Sequence, residues 1–134
     1  VTREIDRVFD PKSGQVFVFG SNLAGIHGAG AARYARSDLG AAWGVGEGPM
    51  PDAYAPRCYA LPTKDKNLLT LPLNTIARHA KLLLFYAEAN PQLTFFVTRV
   101  GCGLAGLTDE QLGPMFNGAP ENCILPHGWG KIDS

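Results

Sequence analysis

The chain has 134 residues, 46% of them apolar and 18% charged, a balance that suits one domain with a packed core and excludes disorder. Twelve basic residues offset twelve acidic ones, so no net field attracts nucleic acid, and general binding to it is not expected. Three cysteines, Cys58, Cys102 and Cys123, with no C-x-x-C spacing fit neither a disulfide framework nor a zinc site. No run reaches the roughly 18 apolar residues that cross a bilayer, and the opening residues do not read as a leader. A cytoplasmic protein without membrane, metal or cofactor is the expectation.

In chain order, Gln15–Phe19 is a short apolar run rich in Val and Phe, which predicts a strand covered on both faces. A helix is predicted from Ala29 to Asp38, with Gly40 just past its end in the left-handed conformation. Arg57–Leu61 is a weaker strand candidate. A second helix is predicted over Asn74–Ala89, where Ile76, Ala80, Leu83 and Ala87 recur at helical spacing; Asn74 caps its start and Asn90-Pro91 ends it. Leu93–Thr98 and Asn122–Leu125 read as further buried strands. Between them Thr108-Asp109-Glu110-Gln111 has capping-box spacing and opens a third helix. Strands alternating with helices predict an α/β domain over residues 1–134 with a largely parallel sheet.

The 16 glycines and 10 prolines cluster between these elements and mark shaped loops. The first strand runs into Gly20-Ser21-Asn22-Leu23-Ala24-Gly25-Ile26-His27-Gly28-Ala29-Gly30-Ala31-Ala32. Small side chains at the start of a helix leave backbone N–H groups open to a close ligand, and phosphate oxygens match those donors and the helix dipole. No Gly-Lys-Ser/Thr follows, and the G-x-G-x-x-G spacing of a Rossmann turn is missing. The competing reading is that the glycines serve only a tight turn and close helix–sheet packing; Asn22 and His27 in the same loop favour binding. The strand at Leu93–Thr98 leads into Arg99-Val100-Gly101-Cys102-Gly103-Leu104-Ala105-Gly106-Leu107 and then a capped helix. Two such loops at the carboxyl ends of parallel strands face one crevice and suit a diphosphate. The candidate ligand residues are therefore Ser21, Asn22, His27, Gly28, Ala29, Gly30 and Ala31, with Gly101, Cys102, Gly103, Leu104, Ala105 and Gly106.

The pair G-S-N-x-x-G-x-H-G-A-G-A-A and R-V-G-C-G-L-A-G-L resembles the macrodomain family, in particular the branch that includes the terminal ADP-ribose protein glycohydrolase. The likeness spans residues 15 to 125 in order and spacing. It implies a three-layer α/β/α macrodomain-like fold that binds ADP-ribose, with the first loop beside the distal ribose and the second around the diphosphate. It also implies a nucleophilic lysine at Lys64, in Y-x-L-x-x-K, paired with an aspartate after G-C-G-L. Here that position is Ala105, and the acid that holds the adenine amine has only Asp6 or Asp10 as candidates.

Three functions follow as alternatives. The first is a module binding ADP-ribose, free or linked to protein. The second is a hydrolase of the same fold that removes ADP-ribose, an acetyl group or a phosphate, with Asn22, His27 and Lys64 as candidate catalytic residues. The third is an RNA or poly-ADP-ribose interaction module. Trp43 and the segment His127-Gly128-Trp129 are candidate pocket-rim aromatics, with closure of a core as the competing role. His79 reads as a surface residue of the second helix.

Overall fold

The computed structural model describes residues 2–4 and 8–130. Strands β1 (Thr2–Glu4), β2 (Val16–Asn22), β3 (Gly48–Met50), β4 (Cys58–Lys64), β5 (Phe95–Val97) and β6 (Cys123–Pro126) form one six-stranded sheet in the order β1-β6-β5-β2-β4-β3. Every pairing is parallel except β3 with β4. Helices α1 (Gly30–Asp38), α2 (Leu73–Ala89) and α3 (Asp109–Leu112) complete the fold, and a short 3₁₀ turn over Gly113–Phe116 extends α3.

Side-chain alternation along the central strands builds two cores from one sheet. Val16 and Val18 face α2 and the 3₁₀ turn, together with Tyr59, Leu61, Phe95, Val97, Cys123 and Leu125. Phe17 and Phe19 face α1, with Cys58, Ala60, Phe96 and Ile124. Ala32 and Ala35 are the buried residues of α1, and their small side chains bring the helix close to the aromatic face of β2. On the other side Ile76, Ala80, Leu83 and Ala87 form the buried stripe of α2. The result is a three-layer α/β/α arrangement.

Helix ends follow local chemistry. Gly40 takes φ +82° after α1, a conformation glycine adopts without a Cβ clash. Thr108 caps α3 in a reciprocal box: its hydroxyl accepts from Gln111 N, and the Gln111 side chain accepts from Thr108 N. The start of α2 differs from expectation. Pro72 is the cap, its carbonyl accepting from the N–H groups of Thr75 and Ile76, and Asn74 lies inside the first turn. Proline fixes φ where the helix begins and has no N–H to lose there.

The strand candidate Arg57–Leu61 is in fact central. β4 runs on through Pro62 and Thr63 to Lys64, and pairs with β2 from Phe17↔Cys58 to Asn22↔Lys64, with a register shift between Ser21 and Asn22. The antiparallel edge strand β3, Gly48-Pro49-Met50, carries no apolar run. Trp129 is a core residue: it packs against Phe116 in a tilted pair with ring centroids 5.2 Å apart and lies in the same cluster as Leu112.

Candidate functional site

Strands β2, β4 and β5 are adjacent and parallel, so their carboxyl ends open on one side of the sheet. A cleft of about 360 Å³ lies there. Its walls are the two glycine-rich loops and the end of β4.

In the first loop Asn22 is buried, and its side chain makes a reciprocal pair with the main chain of Ile26. Nδ2 donates to Ile26 O at 2.8 Å, and Oδ1 accepts from Ile26 N at 3.0 Å. This pair closes the turn around Gly25, which has φ +69° and whose N–H donates to Asn22 O. A Cβ on Gly25 would collide with the backbone of Gly44 and Val45, and one on Gly46 with the carbonyl of Asn22. The loop thus rests main chain against main chain on residues 44–46. The Ser21 hydroxyl ties the two together by donating to Gly46 O.

Beyond this turn the loop enters α1 without a side-chain cap. Ala29 is the N-cap residue, and the first helical bond runs from Arg33 N to Ala29 O. The amides of Gly30, Ala31 and Ala32 therefore precede any intrahelical acceptor, and all three residues line the cleft.

The second loop leaves β5 and turns at Gly101, φ +80°. Bonds from Leu107 N to Gly101 O and from Gly106 N to Gly103 O hold its neck. Among the described residues, the N–H groups of Gly103, Leu104 and Ala105 have no acceptor. These three residues also line the cleft.

Ten of the thirteen candidate ligand residues line this one space: Ser21, Asn22, Gly28, Ala29, Gly30, Ala31, Gly101, Gly103, Leu104 and Ala105. Lys64 joins them from the end of β4, and among the described residues its ammonium has no ion-pair partner. Thr63, Leu68, Thr98 and Arg99 line the cleft too. Arg99 stands at the head of the second motif, and that adjacency was the signal that could have singled it out. No Asp or Glu is among the described lining residues.

His27, Cys102 and Gly106 lie outside the cleft. The His27 ring, 1% exposed, sits behind the first loop, edge-on to Phe19. Its Nε2–H donates to Ala42 O at 2.9 Å and to Val45 O at 3.0 Å, so two carbonyls claim the proton and the ring braces residues 42–45. Nδ1 is buried with no partner among the described residues. Burial and the carboxylate of Asp109 push the Cys102 thiol pKa up, outweighing the nearby Arg99 guanidinium. A thiol so placed is not an activated nucleophile.

Other candidates also fall elsewhere. Asp10 serves its own turn, accepting from Lys12 N at 2.9 Å; Asp6 lies outside the described residues. Trp43 is 55% exposed beneath the Arg36 guanidinium and does not line the cleft, and neither do His127 and Trp129. His79 is not a free surface residue: its Nδ1 lies 2.6 Å from Glu47 Oε2, which ties α2 to the chain before β3.

The sheet order, the helices on both faces and the cleft at the strand ends define a macrodomain-like α/β fold. Among solved structures, Thermosipho africanus DarTG in complex with ADP-ribose matches 98% of this chain with a TM-score of 0.63 at 14% identity. The match covers 43% of that chain, so this protein spans less than half its length. At that identity the likeness concerns the fold. No protein-family model and no curated protein matches the chain.

Proposed function

We propose that the cleft binds ADP-ribose or an ADP-ribose derivative, with the diphosphate between the two glycine-rich loops. The observation that carries this reading is that residues 30–32 and 103–105, two runs whose amides have no acceptor among the described residues, line one cleft, and that its charged side chains among those residues are Lys64 and Arg99. Free amides satisfy phosphate oxygens at little reorganisation cost, and a cleft with no Asp or Glu among its described lining residues does not repel them.

The hydroxyls at the strand ends are not the anion's donors. Thr98 Oγ1 donates to Val18 O and Ser21 Oγ to Gly46 O, so main chain and cations supply the donors. The fold neighbour is itself a complex with ADP-ribose, and the two loops resemble those of ADP-ribose-binding macrodomains. We take residues 1–134 as one domain, and a protein-linked ADP-ribose as an accessible form of the ligand because the cleft is open. The three thiols are free, which suits a reducing cytoplasm. Among the described residues no helix is long and apolar enough to cross a membrane.

A ligand panel tests this. At about 100 times its dissociation constant, ADP-ribose stabilises the protein by roughly 2.7 kcal/mol, a melting shift on the order of 8 °C for a domain this size. ADP, NAD, ATP and ribose 5-phosphate should shift it less. A clear shift with ATP and none with ADP-ribose would overturn the reading.

A further inference from the structure

The two cations of the cleft come from the strands on either side of β2. Lys64 closes β4, and Arg99 stands two residues past β5. Since β2 lies between β4 and β5, the two charges flank its end, where Ser21 and Asn22 line the floor.

They are held differently. The guanidinium Nη1 of Arg99 lies 3.7 Å from Asp109 Oδ1, and the side chains are 46% and 48% exposed. That separation is an ion pair but not a hydrogen bond, so the fork of donors stays unsaturated. The oxygen it faces is itself fixed, because the indole N–H of the buried Trp129 donates to it at 2.8 Å. Asp109 is therefore a stationary charge that keeps Arg99 beside the cleft without consuming its donors.

We infer that Arg99 is the phosphate-contacting side chain of the second loop, with Asp109 as the counter-ion it faces in the free protein. This rests on the ADP-ribose reading of the cleft. Amides orient phosphate oxygens but carry only partial charge. A planar guanidinium can take two oxygens at once, whereas an ammonium such as Lys64 acts as a point charge. A bound diphosphate offers Arg99 a closer anion than Asp109 does. The ligand then competes with the carboxylate for the same fork.

Calorimetric titration of the wild type, Arg99→Ala, Arg99→Lys and Asp109→Asn decides the matter, with ADP-ribose and inorganic pyrophosphate as probes at low and moderate salt. Arg99→Ala should weaken both ligands by about tenfold, flatten the salt dependence and leave the melting temperature of the free protein unchanged. Arg99→Lys should recover only part of the loss. Asp109→Asn keeps an acceptor for Trp129 but removes the competing charge, so binding at low salt should tighten by about threefold. Affinities of Arg99→Ala within twofold of wild type for both probes would overturn the inference. If the wild type binds pyrophosphate but not ADP-ribose, the functional reading fails and the pyrophosphate series alone judges Arg99. If it binds neither, both fall.

Discussion

The Thr70 hydroxyl donates to the Ala105 carbonyl at 2.8 Å, and this bond joins the segment after β4 to the second glycine loop. Thr70 also bridges back to Lys64 in antiparallel fashion. The turn between them is braced by Asp65, whose Oδ1 accepts from Asn67 N and Leu69 N. Leu68 within it takes φ +65° and lines the cleft. Lys64 and position 105 are thus fixed on neighbouring walls of one space, although 41 residues separate them in sequence.

Glycines that serve the ligand and glycines that serve the fold are separable by substitution. A Cβ on Gly103 meets nothing within 4 Å, and one on Gly28 only touches Ile26 at 4.0 Å; neither residue has a positive φ. Gly103→Val and Gly28→Val should each weaken ADP-ribose by more than about tenfold with little change in melting temperature. Gly30 also faces open space but has φ +58°. Gly30→Val should therefore weaken binding and also cost about 1–2 kcal/mol of stability. Calorimetry and thermal melts on the three variants check this pattern, and full affinity in a folded Gly103→Val protein would contradict it.

Asp109 carries a second measurable load. Its Oδ1 is the acceptor for the indole N–H of Trp129, which packs under Gly113 and against Phe116. Asp109→Ala leaves that donor unpaired in a largely buried position and should cost about 1–3 kcal/mol. Asp109→Asn keeps an acceptor and should cost less than half of that. Chemical denaturation of the two variants measures the difference; equal losses would assign the effect to the helix terminus rather than to Trp129.

These contacts mark where sequence reasoning reaches and where it stops. The alternation of Val16 and Val18 with Phe17 and Phe19 states that β2 is covered on both faces, and both cores confirm it. The capping box at Thr108 is a local signal and forms as written. β3 was not legible, because Gly48-Pro49-Met50 has neither length nor pattern and pairs only because β4 offers an edge. The length of β4 was hidden by Pro62, which reads as a strand breaker yet sits opposite Ser21 in the ladder. Residues 42–46, which back the first loop, could not be assigned there from sequence. The contacts of Gly25 and Gly46 are backbone against backbone, and that kind of packing leaves no side-chain pattern to read. His27 was drawn to the cleft by its glycine neighbours, but the carbonyls of Ala42 and Val45 hold it behind the loop.

Alkaline pH should destabilise the protein through its buried thiols. Burial pushes the pKa values of Cys58 and Cys123 from the ordinary 9.0 up to about 12, with Arg57 opposing the rise at Cys58. Burial, with Glu47 adding to it, moves the Tyr59 phenol in the same direction. Above pH 9 the unfolded chain releases thiol protons that the folded chain keeps, so stability falls as pH rises from 9 toward 12 and is unaffected by these thiols below 9. Melting temperatures from pH 7 to 11 should trace that decline, and Cys58→Ala/Cys123→Ala should make it shallower. An equally steep decline in the double variant would assign it to other groups.

The resemblance to the glycohydrolase branch assigns a nucleophile to Lys64 and an acid to position 105, where this chain has alanine. A lysine attacks only after its ammonium loses a proton, and a leaving carboxylate departs more readily with a general acid beside it. No carboxylate is among the described cleft residues, and the His27 ring is buried with its N–H engaged. The wild type should therefore release ADP-ribose from carboxylate-linked protein weakly or not at all. Ala105→Asp puts a carboxylate on the wall beside Lys64. Its charge should weaken ADP-ribose binding by about threefold through repulsion of the diphosphate, while release from the linked substrate rises above background or a lysine adduct accumulates. Mass spectrometry detects the adduct, and Ala105→Asp/Lys64→Ala should lose both the adduct and the gained release. Strong wild-type turnover that disappears in Lys64→Ala would overturn this account, because it would mean that Lys64 finds its proton acceptor without a carboxylate at position 105.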